Sequence, residues 1–187
     1  MILLTCAVHK ELQWIGPRAE VEVLVTGVGP VDAAARVTRA LTTRRYDAVV
    51  NAGIAGAMRG VASVGAGVVV GEEMMELNLE TGGRIAMPDA GVVADRVPAD
   101  AHLIEAIAAF GFPLVRGITV SRVTSTDTTA DRLRARGAEI ETMEGFAVLR
   151  AAQLAGVPAI EVRGISNIVG TREHSGWDFD AGVAGLR

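Results

Sequence analysis

Short apolar runs, several of which end near glycine, set the pattern of this chain. Runs of this kind predict buried strands over residues 2–8, 21–26, 47–51, 64–71, 114–121, 138–142 and 159–166. Apolar positions spaced three and four residues apart predict amphipathic helices over residues 31–42, 99–110 and 143–155. Shorter helices are predicted over residues 9–15, 130–136 and 178–187.

The predicted strands and helices mostly alternate along the chain. This order favours an α/β fold, with three layers and a mixed, largely parallel central sheet that carries helices on both faces. Residues 76–96 lack a clear period and are predicted to form a loop or an excursion from the sheet. Because no linker, repeat or low-complexity segment interrupts the pattern, we expect one domain over residues 1–187.

Composition limits the class of protein. Half of the 187 residues are apolar and only 4% are aromatic, so the core must consist mainly of Val, Ala, Ile and Leu. A formal charge of -4 argues against a nucleic acid partner. No apolar run approaches the roughly 20 residues of a membrane helix, and the first residues read as a strand, not a signal peptide. We therefore expect a cytoplasmic protein that binds no membrane.

Several kinds of catalytic site are disfavoured. The single Cys6 lies in an apolar run and reads as a buried structural thiol. The histidines lack metal-ligand spacing, so we expect no metal and no cofactor: they are His9, His102 and His174. No serine lies in a Gly-x-Ser-x-Gly motif, which argues against a serine hydrolase.

Two glycine-rich segments follow predicted strands. They are Gly27-Val28-Gly29 and Gly53-Ile54-Ala55-Gly56, and both are predicted to be loops. Loops of this kind bring backbone N–H groups close to a ligand, which makes Gly29, Ala55 and Gly56 candidate binding residues, although a plain tight turn has the same signature. The dinucleotide fingerprint is absent because Pro30-Val31-Asp32 follows Gly29.

Three polar residues suggest a ligand. Glu144 opens an apolar helix and Asn167 follows the last predicted strand, so both belong at the edge of the sheet where α/β proteins bind small molecules. A carboxylate accepts hydrogen bonds from two vicinal sugar hydroxyls, and an amide can read a purine edge. Glu144 also fits a helix-dipole carboxylate and Asn167 a turn residue. Glu11 is either a solvated carboxylate or a general base.

Short segments along almost the whole chain occur in an order typical of one family. They are Ala7-Val8-His9-Lys10-Glu11, Gly27-Val28-Gly29, Asn51-Ala52-Gly53-Ile54-Ala55-Gly56, Arg116-Gly117-Ile118-Thr119-Val120-Ser121, Met143-Glu144 and Arg163-Gly164-Ile165-Ser166-Asn167. Together they resemble the purine nucleoside phosphorylase/nucleosidase superfamily and, within its nucleosidase branch, the futalosine hydrolases of menaquinone biosynthesis. The tail after Asn167, through Arg172 and Trp177, is also similar to that branch. The resemblance further implies that the final helix is cut short here.

The resemblance implies a role for each segment. Glu11 would activate water, Glu144 would hold the ribose hydroxyls above Met143, and Asn167 would stabilise the departing purine. Further substrate contacts are implied for Gly29, Ala55, Gly56, Thr124, Ser125, Thr126 and Trp177.

Two departures from the family pattern refine the expected reaction. Adenine-releasing relatives carry Asp where this chain has Asn167, and an amide N–H₂ suits the N7 and O6 acceptors of a 6-oxopurine such as hypoxanthine. Phosphorylases of the family carry Ser where this chain has Ile54, and Arg18 is the only arginine near Glu11 or the first glycine segment in the sequence. Water is therefore the expected nucleophile.

We expect a nucleoside hydrolase that releases hypoxanthine from futalosine and works as a homo-oligomer. A purine nucleoside phosphorylase is the alternative from the same family. A non-catalytic nucleoside-binding protein is a third possibility, and it would tolerate the loss of Glu11.

Overall fold

The computed structural model describes residues 1–89, 91–171 and 176–187, so Arg172 and His174 lie outside the described residues. The strands are β1 (Ile2–Cys6), β2 (Val21–Val25), β3 (Ala48–Ala57), β4 (Gly67–Met75), β5 (Ala86–Met87), β6 (Gly91–Val92), β7 (Arg96–Pro98), β8 (Leu114–Thr119), β9 (Ile140–Thr142) and β10 (Ala159–Ile168). The α-helices are α1 (Pro30–Thr43), α2 (Ala101–Ile107), α3 (Asp127–Ala135), α4 (Gly145–Ala155) and α5 (Phe179–Ala184).

The central sheet is mixed and partly closed on itself. Its strands follow the order β10-β4-β8-β9-β3-β1-β2, β7 pairs with β4, and β10 pairs in addition with β3. The extra pairing joins β3, β10, β4, β8 and β9 into a ring. Pairing is parallel between β1 and both β2 and β3, between β3 and β10, and between β8 and both β4 and β9. The predicted fold class, a mixed and largely parallel sheet with helices on both sides, is confirmed.

Apolar packing holds the helices against this sheet. Helix α1 buries Ala33 and Val37, which pack with the apolar face of α4 in a single core cluster. Helix α2 places Leu103, Ile104 and Ile107 on a second cluster that includes strand residues of β4 and β10. The sheet is thus fixed from both sides, and the ends of its strands remain available for a site.

The second glycine segment is not a loop, and that prediction was wrong. Residues 53–56 lie inside β3, paired in register with β10 from Arg163 onward. The glycines serve close packing instead of a turn: a Cβ on Gly53 would lie 2.5 Å from Nη1 of Arg163 and 2.6 Å from Oε1 of Glu11. A Cβ on Gly56 would lie 2.7 Å from the side chain of Val169.

Other boundaries also differ from the prediction. The helix predicted over residues 9–15 is only a 3-10 turn, His9–Glu11. Strand β4 begins and ends later than predicted, and β10 continues to Ile168. The segment over residues 76–96, predicted to be irregular, carries the short hairpin of β5 and β6. No helix in the described part of the chain is long and apolar enough to cross a membrane.

Candidate active site

A cavity of about 170 Å³ opens near the carboxyl ends of the parallel strands β1, β3 and β10, beside strand β9, which is antiparallel to β3. This is the edge at which α/β sheets bind ligands. Its polar wall is formed by Glu11, Glu141, Thr142, Glu144, Ser166 and Asn167. Its apolar wall is formed by Ala7, Val8, Val28, Ile54, Ala55, Gly56, Val123, Met143, Trp177 and Phe179.

Glu11 is buried in the floor of this cavity and is held at both oxygens. The whole Glu11 residue is 2% exposed. Oε2 accepts from the Val8 N–H at 3.0 Å and Oε1 from the Ile54 N–H at 2.9 Å. The carboxylate therefore has a fixed position, and the reading as a solvated helix-start residue is excluded. Gly53 makes this approach possible because any side chain there would strike Oε1.

Glu144 lies just before α4 and faces the same cavity. The residue is 5% exposed, and its Oε1 accepts from the Gly29 N–H at 2.8 Å. Burial raises the pKa of Glu144, while the nearby positive charge of Arg163 and the bond from Gly29 oppose that rise. Gly29 (φ 98°) thus orients the carboxylate and does not itself line the cavity.

Asn167 is brought to the cavity by an irregularity in β10. The register of β10 against β3 shifts between Ile165 and Asn167, so that Asn167 pairs with Gly56. The Ser166 hydroxyl lies 2.9 Å from Oδ1 of Asn167 and 3.2 Å from the Ala55 carbonyl oxygen. The amide NH₂ carries two protons, so the Asn167 side chain retains a donor for a ligand in either orientation of the amide.

A buried arginine beside Glu11 was missed by the sequence analysis, which found only Arg18. Arg163 is 1% exposed; its Nε donates to Oε1 of Glu161 at 2.6 Å and its Nη1 to the Ile54 carbonyl oxygen at 3.4 Å. Burial opposes its charge, but Glu161, Glu144 and Glu11 outweigh that effect and hold the pKa of Arg163 above its ordinary value. An arginine in the middle of an apolar strand was the available signal.

A further acid, Glu73, lies close to Glu161 and Arg163. The Glu73 carboxyl accepts from Oγ1 of Thr119 at 2.8 Å and from Oγ1 of Thr142 at 3.1 Å. Burial, and then the charge of Glu161, raise the pKa of Glu73 well above its ordinary value, which favours the protonated form of this side chain.

The residues expected to contact the base do not all line the same cavity. Thr124, Ser125 and Thr126 line a neighbouring cavity of about 600 Å³ that shares only Val123 with the first. Thr126 caps α3 by accepting from the Thr129 N–H at 3.2 Å. A role for these residues with a purine in the first cavity stays a prediction.

The outer wall of the first cavity is apolar and partly open. Trp177 is 54% exposed, and Phe179 carries the ammonium of Lys10 at 4.7 Å from its ring centroid. Together with Val28 these rings form a surface able to hold an aromatic or aliphatic group next to the polar floor. The structure therefore brings Glu11, Glu144 and Asn167 together beneath an aromatic rim.

Comparison with known proteins identifies related sequences. The sequence model of the phosphorylase superfamily matches residues 13–184. A futalosine hydrolase from Streptomyces coelicolor is 39% identical over 88% of this chain and 74% of the relative. A futalosine hydrolase from Thermus thermophilus is 33% identical over 87% of this chain and 76% of the relative.

Solved structures support the fold. A 5′-methylthioadenosine/S-adenosylhomocysteine nucleosidase from Colwellia psychrerythraea, solved with adenine, covers 98% of this chain and 90% of its own with a TM-score of 0.81 at 19% identity. The corresponding nucleosidase from Neisseria meningitidis, solved with methylthio-immucillin-A, covers 99% of this chain and 96% of its own with a TM-score of 0.77 at 16% identity.

Proposed function

This chain belongs to the phosphorylase superfamily, and we propose that it is a nucleoside hydrolase that cleaves the N-glycosidic bond of futalosine and releases hypoxanthine. The observation that carries the proposal is the convergence of Glu11, Glu144 and Asn167 on one cavity at the strand ends. Its relatives of 33–39% identity bear the name futalosine hydrolase.

In the proposed reaction, water replaces the purine at C1′ of the ribose. Glu11 takes a proton from the water as its oxygen bonds to C1′, and the bond from C1′ to the purine nitrogen breaks through an oxocarbenium-like state. The electron pair of that bond leaves with the purine. Asn167 donates a hydrogen bond to the departing base, which stabilises the negative charge until the base takes up a proton from solvent water. Glu11 returns its proton to solvent, which restores the carboxylate.

Glu144 is the proposed ribose anchor. One oxygen is held by the Gly29 N–H at 2.8 Å, which fixes the plane of the carboxylate. The other oxygen can accept from the vicinal hydroxyls, and Met143 lies in the same wall to pack against the sugar. The sugar is thereby placed with C1′ toward Glu11.

The charge of the cavity favours water over phosphate as the nucleophile. Glu11, Glu141 and Glu144 face it, and none of its described lining residues is Lys or Arg. Arg163 is close, but its guanidinium is buried against Glu161 and Ile54. A phosphate dianion would meet several carboxylates and no cationic side chain among the described lining residues, so we propose hydrolysis and not phosphorolysis.

One assay separates the candidate functions. The purified protein is incubated with futalosine and with inosine, each with and without phosphate, and free hypoxanthine is measured. We expect phosphate-independent release from futalosine. Release that requires phosphate would identify a phosphorylase, and binding of futalosine without any release would identify a binding protein.

We further propose that the protein works in the cytoplasm, in menaquinone biosynthesis, as a homo-oligomer and without a cofactor. Activity of the protein after treatment with a chelator tests the last point. Sedimentation of the active protein tests the oligomeric state, and a monomer that retains full activity would contradict that part of the proposal.

A further inference from the structure

Glu141 is a buried carboxylate with one unused oxygen in the cavity. The residue is 8% exposed, and its Oε1 accepts from the Thr124 N–H at 3.1 Å. Its Oε2 and the nearby Oγ1 of Thr124 are both buried, and neither has a hydrogen-bond partner among the described residues. A buried acceptor without a donor is costly, so such an atom in the wall of a binding cavity points to a donor on the ligand.

Strand register places Glu141 across from Asn167. Asn167 pairs with Gly56 on β3, and Gly56 pairs in turn with Glu141 on β9. Paired residues on neighbouring strands point to the same face of a sheet, and strands are spaced by about 4.8 Å, so the two backbones lie roughly 10 Å apart. Gly56 between them has no side chain, and a Cβ there would lie 3.0 Å from Nδ2 of Asn167. The amide and the carboxylate both line the same cavity of about 170 Å³, so a ligand there can contact both side chains.

A 6-oxopurine has the matching edge. It presents N7 and O6 as acceptors, and next to O6 it presents N1–H as a donor, whereas adenine presents an amino donor and an N1 acceptor. Asn167 can donate to N7 or O6. Burial raises the pKa of Glu141, and hydrogen bonding from Thr124 opposes that rise. In its ionised form the carboxylate only accepts, so it suits N1–H and repels the N1 of adenine.

We infer that Glu141 determines base specificity, by accepting a hydrogen bond from N1–H of a 6-oxopurine whose other edge is held by Asn167. This inference rests on the proposed function, because it assigns the base end of the same cavity. The bond from Thr124 keeps the carboxylate plane fixed, and the ligand satisfies the oxygen that the protein leaves unpaired.

The decisive variant is Glu141→Gln. In this variant the carbonyl oxygen of the new side chain keeps the hydrogen bond from the Thr124 N–H. The amide NH₂ then takes the place of Oε2, so that a donor faces the N1–H donor of the base. We expect kcat/KM for futalosine to fall roughly 10- to 100-fold, the loss typical of a hydrogen bond to a charged group. The ratio of kcat/KM for futalosine over its 6-amino counterpart should fall further, since the new donor suits the N1 of adenine.

Glu139→Gln is the matched control. This variant makes the same change one residue before β9. The Glu139 carboxylate accepts from the Arg116 backbone N–H at 2.9 Å and does not line the cavity. For this control, the ratio of kcat/KM for futalosine over its 6-amino counterpart should equal that of the wild type. An unchanged ratio in Glu141→Gln as well would overturn the inference and leave the proposed function intact. Failure of the wild type to release hypoxanthine from futalosine would instead overturn the proposed function.

Binding of free bases gives a readout that does not depend on turnover. Calorimetry should show that the wild type binds hypoxanthine at least roughly 10-fold more tightly than 1-methylhypoxanthine, which lacks N1–H. In Glu141→Gln this preference should largely disappear. Equal affinity of the wild type for both bases would overturn the inference, and this measurement decides the matter even if the variant does not fold.

Discussion

The carboxylates of the site differ in their surroundings more than in their chemistry. Glu11 is bonded at both oxygens by backbone N–H groups, Glu144 is bonded at one, and Glu73 has only threonine hydroxyls and a neighbouring acid. Burial and nearby charge raise the pKa of Glu73 well above its usual range. One residue type can thus supply a proposed base, a proposed ribose anchor and a structural acid whose protonated form is favoured.

Glu11→Gln should remove the proposed base while preserving the size of the side chain. We expect turnover to fall roughly 10²- to 10⁴-fold, the range of general-base catalysis, with little change in hypoxanthine affinity. The amide NH₂ must also face one backbone N–H, so the free energy of unfolding should fall by about 1–3 kcal/mol. Single-turnover kinetics, calorimetry and a thermal melt check these points, with the exposed Glu20→Gln as control. Near-normal turnover would contradict the role.

Asn167→Asp should change base preference. A carboxylate repels O6 unless it is protonated, but it accepts from the amino group of adenine, so the ratio of kcat/KM for futalosine over its 6-amino counterpart should fall by roughly 10-fold or more. Asn78→Asp makes the same change at a residue bonded to Arg136 outside this cavity. A constant ratio in Asn167→Asp would mean that base choice is made elsewhere.

At the scale of elements, glycine inside strands and helices is what allows side chains and helices to approach the site. Helix α5 approaches β10 closely: a Cβ on Gly164 would lie 1.8 Å from the carbonyl oxygen of Gly182. Since that oxygen belongs to a backbone, no rotamer change can relieve the clash. The helix also follows Trp177 directly, so its position affects the rim of the cavity.

Gly164→Ala should therefore displace α5 and destabilise the protein. Overpacking of this kind costs about 1–3 kcal/mol, and contact with backbone places the expected value at the upper end. Gly16→Ala is the control, because a Cβ there has nothing within 4 Å. Denaturant unfolding measures both variants, and equal stability would show that α5 moves without cost.

Trp177→Ala tests the segment between β10 and α5. Trp177 lines the cavity rim and is half exposed, so we expect it to stack on the aryl tail of futalosine and not on the purine. The variant should bind a non-cleavable futalosine analogue roughly 10-fold more weakly, the scale of a lost aromatic contact, and hypoxanthine almost normally. Parallel losses for both ligands would identify Trp177 as a packing residue.

At the scale of the whole molecule, ring closure by β3, β10, β4, β8 and β9 encloses ionisable groups that an open sheet would leave near water. Glu73, Glu161 and Arg163 are all almost fully buried there. Removing one partner of such a buried pair leaves an uncompensated charge, which is far more costly than the net value of the pair itself. The cluster therefore couples the site to global stability.

Glu73→Gln should change how stability depends on pH. The folded-state pKa of Glu73 is raised, so between the unfolded-state value of about 4.3 and the folded-state value the native chain holds the extra proton. Over that window the contribution of Glu73 to the free energy of unfolding falls by about 1.4 kcal/mol per pH unit as pH rises.

The glutamine variant has no such titration. It should gain stability relative to the wild type from pH 5 toward pH 8, measured by denaturant unfolding across that range. Glu72→Gln, on the same strand and paired with Arg96, is the control and should not show this gain. A constant difference between Glu73→Gln and wild type would mean that Glu73 is ionised in the folded protein.

The sequence by itself determined the fold class and the strand ends at which Glu144 and Asn167 lie, because periodicity and breaker residues are local properties. It could not locate the close packing around Gly53 and Gly56, since a glycine needed for contact with another strand looks like a glycine needed for a turn. The ends of a strand are set by where its pairing with the neighbouring strand begins and ends, and periodicity does not contain that information. The predicted bounds of β3 and β4 were therefore wrong.

Only the tertiary structure decided which groups meet in the cavity. Burial of Glu11 depends on the Ile54 N–H, 43 residues away. The alignment of Asn167 with Glu141 depends on the pairing of Gly56 with Asn167 on one side and with Glu141 on the other. Placement of Thr124 in the neighbouring cavity likewise follows from the path of the chain after β8. Such contacts are set by non-local strand pairing, in which a shift of one residue turns every side chain to the opposite face.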